Sequence, residues 1–230
     1  MSSLPPVPPT PPAGPGGPFP AHWPKPGQMQ EPPDFTDVFP YLNPPQWEGN
    51  SSCLCRPLMN SERMPSVSFG KDLMNGIGMI LIRTACEDGF TISKVEPIAI
   101  KNLAARKERP TWQTDDVEWQ GQPRTIFYRT GDERTASDLL DEEFMLALHA
   151  MMDCEDLAIA IPTANMMIAC PRDMARGLSP MAEQQYADMQ SQGQEVLTPL
   201  IISVVAGKLQ GFLDLGEPTE DFPGPDTDEM

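Results

Sequence analysis

The chain has 230 residues and a formal net charge of −17, from 33 acidic and 16 basic residues. A surface of that charge repels phosphate backbones and anionic lipids, so we expect neither general nucleic-acid binding nor membrane association. No apolar run reaches the roughly 18 to 20 residues that a membrane-spanning helix needs. We expect no secretory leader, because no basic segment followed by an apolar run opens the sequence, and the five cysteines are odd in number. Both features predict a protein of the reducing cytoplasm with free thiols.

Proline divides the chain into three parts. Sixteen of the 28 prolines precede Gln46, and proline fixes φ and donates no backbone hydrogen bond. We therefore predict an extended, disordered proline-rich arm over residues 1–45. Residues 46–215 are long enough for one domain with its own core. Residues 216–230 contain no lysine or arginine and predict a disordered acidic tail.

One segment late in the arm has two interpretations. The stretch "PPDFTDVFPYL" places apolar side chains at helix-like spacing among aspartates, a pattern by which acidic segments fold into a groove on a partner. In the alternative interpretation, its aromatic residues pack onto the chain's own domain. The predicted partner-binding residues are Phe35, Val38, Phe39 and Leu42.

The first half of the domain predicts one buried strand and one helix. Residues 77–84 read "IGMILIRT", with little alternation, which indicates a central strand covered on both faces. A helix should begin at Ser93, with Glu96 completing a capping box, and end near residues 106–109. Its basic cluster either complements the helix dipole or binds an anion. That cluster is Lys101, Arg106, Lys107 and Arg109.

The second half predicts helices alternating with pairs of strands. A hairpin joins "DDVEWQ" to "RTIFYRT", and a helix over residues 137–152 precedes strands at 157–161 and 166–170. A helix over 180–192 then precedes two strands that flank Ala206 and Gly207. A helix followed by a strand pair thus occurs three times. The pattern predicts an α+β fold, with a largely antiparallel or mixed sheet and about three helices on one face.

The order of these pieces resembles an uncharacterised bacterial family, the YtpQ-like domain of unknown function 1444. The resemblance covers about residues 69–215 and includes "KDLMNGIGMILI", "ASDLLDEEF" and "LAIAIPTANMMI". The turn after Pro162 tends to carry an Arg-Asp pair in that family, and this chain has Ala164 and Asn165 there. The resemblance implies no known substrate, cofactor or catalytic residue.

Residue types that support catalysis are few. His149 is the only histidine within the predicted domain, which excludes a two-histidine metal motif there. Cys53 and Cys55 form a C-x-C pair with no further cysteines at zinc-ligand spacing. The candidate carboxylates share a predicted helix face that could hold a divalent cation or act as a general acid. They are Asp138, Asp141 and Glu142.

Two functions are compatible with this sequence. The first is a non-enzymatic protein-binding or adaptor domain without a cofactor, whose partner is another protein. Its contact surface would be a sheet face left open by the helices, or the segment around Phe35 and Phe39. The alternative is a metal-assisted hydrolase that uses Asp138, Asp141 and Glu142. The sequence assigns no catalytic residue to the first function.

Overall fold

The computed structural model describes residues 35–213 except 60, 62 and 75. Its helices are α1 (Ile82–Asp88), α2 (Ile92–Ala104), α3 (Glu142–Met152) and α4 (Ala175–Ser191), with 3₁₀ helices at Glu48–Ser51, Ala136–Leu140 and Arg172–Met174. Its strands are β1 (Val38–Asn43), β2 (Cys55–Pro57), β3 (Ser66–Leu73), β4 (Gly76–Met79), β5 (Gln113–Trp119), β6 (Gln122–Thr130), β7 (Asp156–Ala160), β8 (Met166–Pro171), β9 (Ile201–Val205) and β10 (Lys208–Phe212). The α+β class is confirmed.

The larger sheet has six strands in the order β10-β9-β7-β8-β6-β5, and every neighbouring pair is antiparallel. Each of α2, α3 and α4 precedes a hairpin of this sheet, which confirms the predicted rhythm of a helix and two strands. The turns Gln120–Gly121 and Ala206–Gly207 have positive φ at both residues. That backbone matches the right-handed twist of the strands that each turn joins.

Helices cover both faces of the six-stranded sheet, so the prediction of one covered face was wrong. Leu157 and Ile159 lie in the core that includes α3. Ala158 and Ala160, which alternate with them along β7, pack with Leu178 of α4. Because successive strand residues point to opposite faces, the central strands are buried on both sides. The runs "AIAI" and "MMIA" therefore belong to the protein's own interior.

The smaller sheet begins inside the segment predicted as disordered. Strand β1 pairs with β3, so the predicted arm boundary at residue 45 is wrong and the described fold starts at Phe35. The helix-like spacing of apolar residues in this segment was misleading, because residues 38–43 form a strand. Strand β1 accommodates Pro40 because it lies at an edge of its sheet, where the missing donor breaks no ladder.

Several predicted boundaries differ from the structure. The predicted strand at 77–84 ends at Met79, and α1 begins at Ile82. Helix α2 begins at Ile92, one residue before the predicted cap Ser93, and no side chain caps its N-terminus. Helix α4 begins at Ala175 and contains Pro180. Tertiary contacts move such ends by a few residues, so caps read from sequence are weak guides.

Residues 1–34 and 214–230 lie outside the described part of the chain, so the predictions of an extended arm and an acidic tail are not addressed there. Among the described helices, none has the length and apolar character needed to cross a bilayer.

Candidate functional site

The carboxylate of Asp138 lies at the centre of a buried cluster of charges. Asp138 belongs to the 3₁₀ helix before α3 and is fully buried. Its Oδ2 accepts hydrogen bonds from Arg129 at 2.8 Å and from Arg106 at 2.9 Å. The Arg109 Nε lies 3.8 Å from Oδ1. Three arginines thus surround Asp138, which the sequence predicts as a candidate metal ligand.

Asp138 and Asp141 do not belong to one helix, which corrects the prediction of a single helix over residues 137–152, although both contact Arg109. The 3₁₀ helix ends at Leu140, and Asp141 is the N-cap of α3. Its Oδ1 accepts from the backbone N–H groups of Glu143 and Phe144, and its Oδ2 accepts from Arg109 at 2.6 Å. Glu142 is exposed and lies 3.4 Å from Lys208. An N-cap aspartate satisfies helix donors that would otherwise stay unpaired.

The cluster continues to the smaller sheet. Arg106 also pairs with Asp132 at 3.0 Å, and Arg134 joins Asp132 to Asp72 of β3. Asp72 accepts from the hydroxyl of Tyr41 in β1 at 2.5 Å. The network consists of four arginines and four aspartates, so its charges balance: Arg106, Arg109, Arg129, Arg134, Asp72, Asp132, Asp138 and Asp141.

Burial is the dominant influence on the central pair. Desolvation raises the pKa of Asp138, and the neighbouring arginines oppose that shift. Desolvation also lowers the pKa of Arg129, and Asp138 opposes that shift. Each partner therefore depends on the other to stay charged inside the protein. The Arg129 guanidinium carbon also lies 4.6 Å from the Phe144 ring centre and 5.3 Å from that of Trp112, where cation–π attraction offsets part of its desolvation.

These contacts define what the cluster can do chemically. The oxygens of Asp138 and Asp141 face arginines and helix N–H groups, and hard cations need such oxygens unopposed by positive charge. Among the described residues, no three His, Cys, Asp or Glu side chains gather closely enough to hold a metal ion. The arrangement therefore corresponds to an electrostatic junction between the two sheets. Two residues of the predicted basic cluster, Arg106 and Arg109, belong to this junction.

His149 has a structural environment. The residue is buried on the inner face of α3, and its Nδ1 lies 3.0 Å from the backbone oxygen of Cys154. That carbonyl follows the end of α3, where Asp153 has left-handed φ and ψ. The contact fixes the chain as it leaves the helix. A general base must reach a substrate, and the ring is only 8% exposed.

All five cysteines are free thiols, and their accessibility differs. Cys86 is exposed, whereas burial raises the pKa of Cys170 to about 12. Burial also raises the pKa values of Cys55 and Cys154.

Because the thiolate is the nucleophile, iodoacetamide at pH 8 should alkylate native Cys86 first and leave Cys170 unmodified until the protein is denatured. Peptide mass spectrometry of timed samples measures this order; equal rates at the two sites would contradict the described burial.

The predicted partner-binding residues belong mostly to the protein's own core. Val38 and Leu42 are 1% and 3% exposed, so neither is available to a partner. Phe35 packs edge-to-face on Phe90 with ring centres 5.0 Å apart, and Phe39 lies under Arg134. The alternative interpretation, in which this segment packs onto its own domain, fits these contacts.

Helix α3 also has an exposed apolar surface that the sequence patterns did not predict. The helix reads "EEFMLALHAMM", and it buries Met145, Leu148 and His149. The opposite side exposes four apolar residues, and we call this surface the α3 outer face. Leu146 is 44% exposed and Met151 is 55% exposed. After its two glutamates the helix carries apolar residues on more than one side, more than a single buried stripe requires, and this excess was the signal available in the sequence. The α3 outer face consists of Leu146, Ala147, Ala150 and Met151.

Comparison of the chain with protein-family models, curated proteins and solved structures finds no match. The resemblance to the YtpQ-like family stays a prediction.

Proposed function

We propose that this protein is a non-enzymatic, cytoplasmic protein-binding domain and that its contact surface is the α3 outer face. The observation that carries the proposal is the exposure of Leu146 and Met151 on a helix whose other side is already buried. Apolar side chains at i, i+1, i+4 and i+5 form one continuous stripe on a helix. Contiguous exposed apolar surface of this kind marks a site of interaction with other proteins.

The polar groups of the domain support the same function. Asp138 and Asp141 accept hydrogen bonds from arginines, and Asp141 also accepts from a backbone N–H in the first turn of α3. His149 contacts a backbone oxygen. Without Asp138 the buried charge of Arg129 would lose its partner, and without Asp141 the first turn of α3 would lose its cap. Free thiols at all five cysteines support a reducing compartment.

Exchanging the two largest residues of the α3 outer face for glutamine tests the proposal. Glutamine keeps the helix propensity and net charge while removing apolar surface. The full-length chain and the variant Leu146→Gln/Met151→Gln are immobilised, and the proteins retained from an extract of expressing cells are quantified. We expect one or more proteins retained in stoichiometric amount by the unmodified chain and reduced at least tenfold by the variant.

The matched control is Met181→Gln, because Met181 is 41% exposed on α4, at the opposite face of the sheet. This control should retain the same proteins as the unmodified chain. An identical set of retained proteins for all three forms would refute the α3 outer face as the contact surface.

A further inference from the structure

Acidic side chains flank the α3 outer face at both ends. Glu142 and Glu143 occupy the first turn of α3, and Asp153 and Glu155 follow its last turn; all four are exposed. Glu142 is paired with Lys208. For Glu143, Asp153 and Glu155 no ion pair occurs within the described part of the chain. Each end of the apolar stripe therefore carries at least one carboxylate that no cation of the described residues pairs with.

The C-terminal end of α3 adds to this field. A shallow depression of about 720 Å³ adjoins the helix end, and it is lined by three aspartates and two arginines as well as Met152 and Cys154. The carbonyl groups at a helix C-terminus carry partial negative charge. Arg172 pairs with Asp156 and Arg124 pairs with Asp173, so the excess negative charge of the depression comes from Asp153 and from the helix carbonyl groups, at the end of the apolar stripe.

We infer that the occupant of the α3 outer face is an amphipathic helix of another protein. This helix carries lysine or arginine at both ends of its apolar stripe, and the inference rests on the proposed function. Eleven helical residues span about 16 Å, which matches two turns of apolar side chains on a partner helix followed by basic residues at each end. Ala147 and Ala150 lie between Leu146 and Met151 on the stripe. Their small side chains leave room for the ridge of a second helix.

Charge separates this occupant from the other candidates. A second copy of α3 would bring Glu143, Asp153 and Glu155 against the same residues, and like charges across an interface cost affinity. The chain's own residues 214–230 contain seven acidic residues and no lysine or arginine, so they have the same mismatch. Residues 1–34 are rich in proline, and repeated prolines disfavour a continuous helix because each removes a backbone donor.

Designed peptides test the inference directly. Two peptides of about 18 residues share one leucine stripe at i, i+3, i+4 and i+7, and one is flanked by lysines and the other by glutamates. Each is titrated into the full-length protein by calorimetry at 50 mM and 300 mM salt. We expect the lysine-flanked peptide to bind at least tenfold more tightly at 50 mM salt, with most of that preference lost at 300 mM because salt screens exposed charges.

Two variants assign the interaction to its parts. Leu146→Gln/Met151→Gln should weaken binding of the lysine-flanked peptide at least tenfold, and Met181→Gln should not change it. The triple variant Glu143→Gln/Asp153→Asn/Glu155→Gln should reduce the preference between the two peptides to less than threefold while leaving the apolar stripe intact. Asparagine suits position 153 because it tolerates left-handed φ and ψ.

Each contrary outcome has a distinct meaning. Equal binding of both peptides would overturn the charge inference and leave the proposed function intact, provided that binding still requires Leu146 and Met151. Binding of neither peptide, or a stable dimer in sedimentation, would overturn the inferred occupant. The capture experiment with Leu146→Gln/Met151→Gln decides the proposed function independently of these peptides.

Discussion

Replacing Asp138 by asparagine is expected to lower the free energy of unfolding by about 3–5 kcal/mol. The substitution keeps the shape of the side chain and removes the charge that Arg129 and Arg106 face at 2.8 and 2.9 Å. Arg129 is fully buried and would remain without its compensating partner. The cost of breaking such a pair is the desolvation of the charge left behind. Urea unfolding followed by circular dichroism measures the change.

Two further variants make this prediction specific. In Arg129→Met/Asp138→Leu both charges are removed, and stability should recover by at least half of the loss, since Arg106 and Arg109 keep Asp132 and Asp141 as partners. Arg172→Met removes an exposed pair with Asp156 and should cost at most about 1 kcal/mol. A loss under 1 kcal/mol for Asp138→Asn would show that the cluster does not hold the sheets together.

Phe69→Ala should destabilise the protein by about 3–5 kcal/mol through the cavity that it leaves. Phe69 lies on β3, has no exposed surface and belongs to the core cluster that also contains Ile159, Met167 and Leu148. That cluster joins the smaller sheet to the inner face of the larger one, so a cavity here weakens contacts between the two sheets as well as within one.

The control for this change is Phe212→Ala. Phe212 is 40% exposed at the end of β10, and the same truncation there should cost at most about 2 kcal/mol, because part of the side chain already faces solvent and no closed cavity is left. Thermal or urea unfolding of the two variants under identical conditions measures the difference. Equal losses for the two positions would contradict the described core.

Hydrophobic patterning predicted the larger sheet well. The runs around Ile159 and Ile168 are continuous and short, which is typical of strands buried on both faces, and the glycine at 207 predicts its tight turn. The three hairpins were therefore correctly located. The sequence did not predict that helices cover the second face of the sheet, because the amphipathic pattern of α4 does not reveal which face of the sheet the helix packs on.

The smaller sheet and the charge cluster were harder to predict for a physical reason. Proline at position 40 argues against a strand only when the strand is central, and the sequence does not reveal that β1 is an edge. Asp138 and Asp141 resembled solvated carboxylates because their arginine partners lie 9 to 32 residues away in the chain. Pairing over such separations is set by tertiary structure and has no local pattern.

The α3 outer face was present in the sequence as an excess of apolar residues over what one buried stripe requires. Leu148 and Met151 are three residues apart, a spacing that fits one apolar stripe of a helix, but Leu148 is buried and Met151 is exposed. Both residues lie within α3, so the break at Asp141 does not change their spacing. The buried side of α3 is centred on Met145, Leu148 and His149, and Met151 lies beyond its edge.

Measuring stability and binding on the same variant tests the central claim most directly. For Leu146→Gln/Met151→Gln, we predict an unfolding free energy lowered by at most about 2 kcal/mol, because each side chain is about half exposed, together with at least tenfold weaker binding of the lysine-flanked peptide. A variant that loses several kcal/mol of stability, or that binds the peptide as the unmodified protein does, would contradict a free apolar surface devoted to a partner.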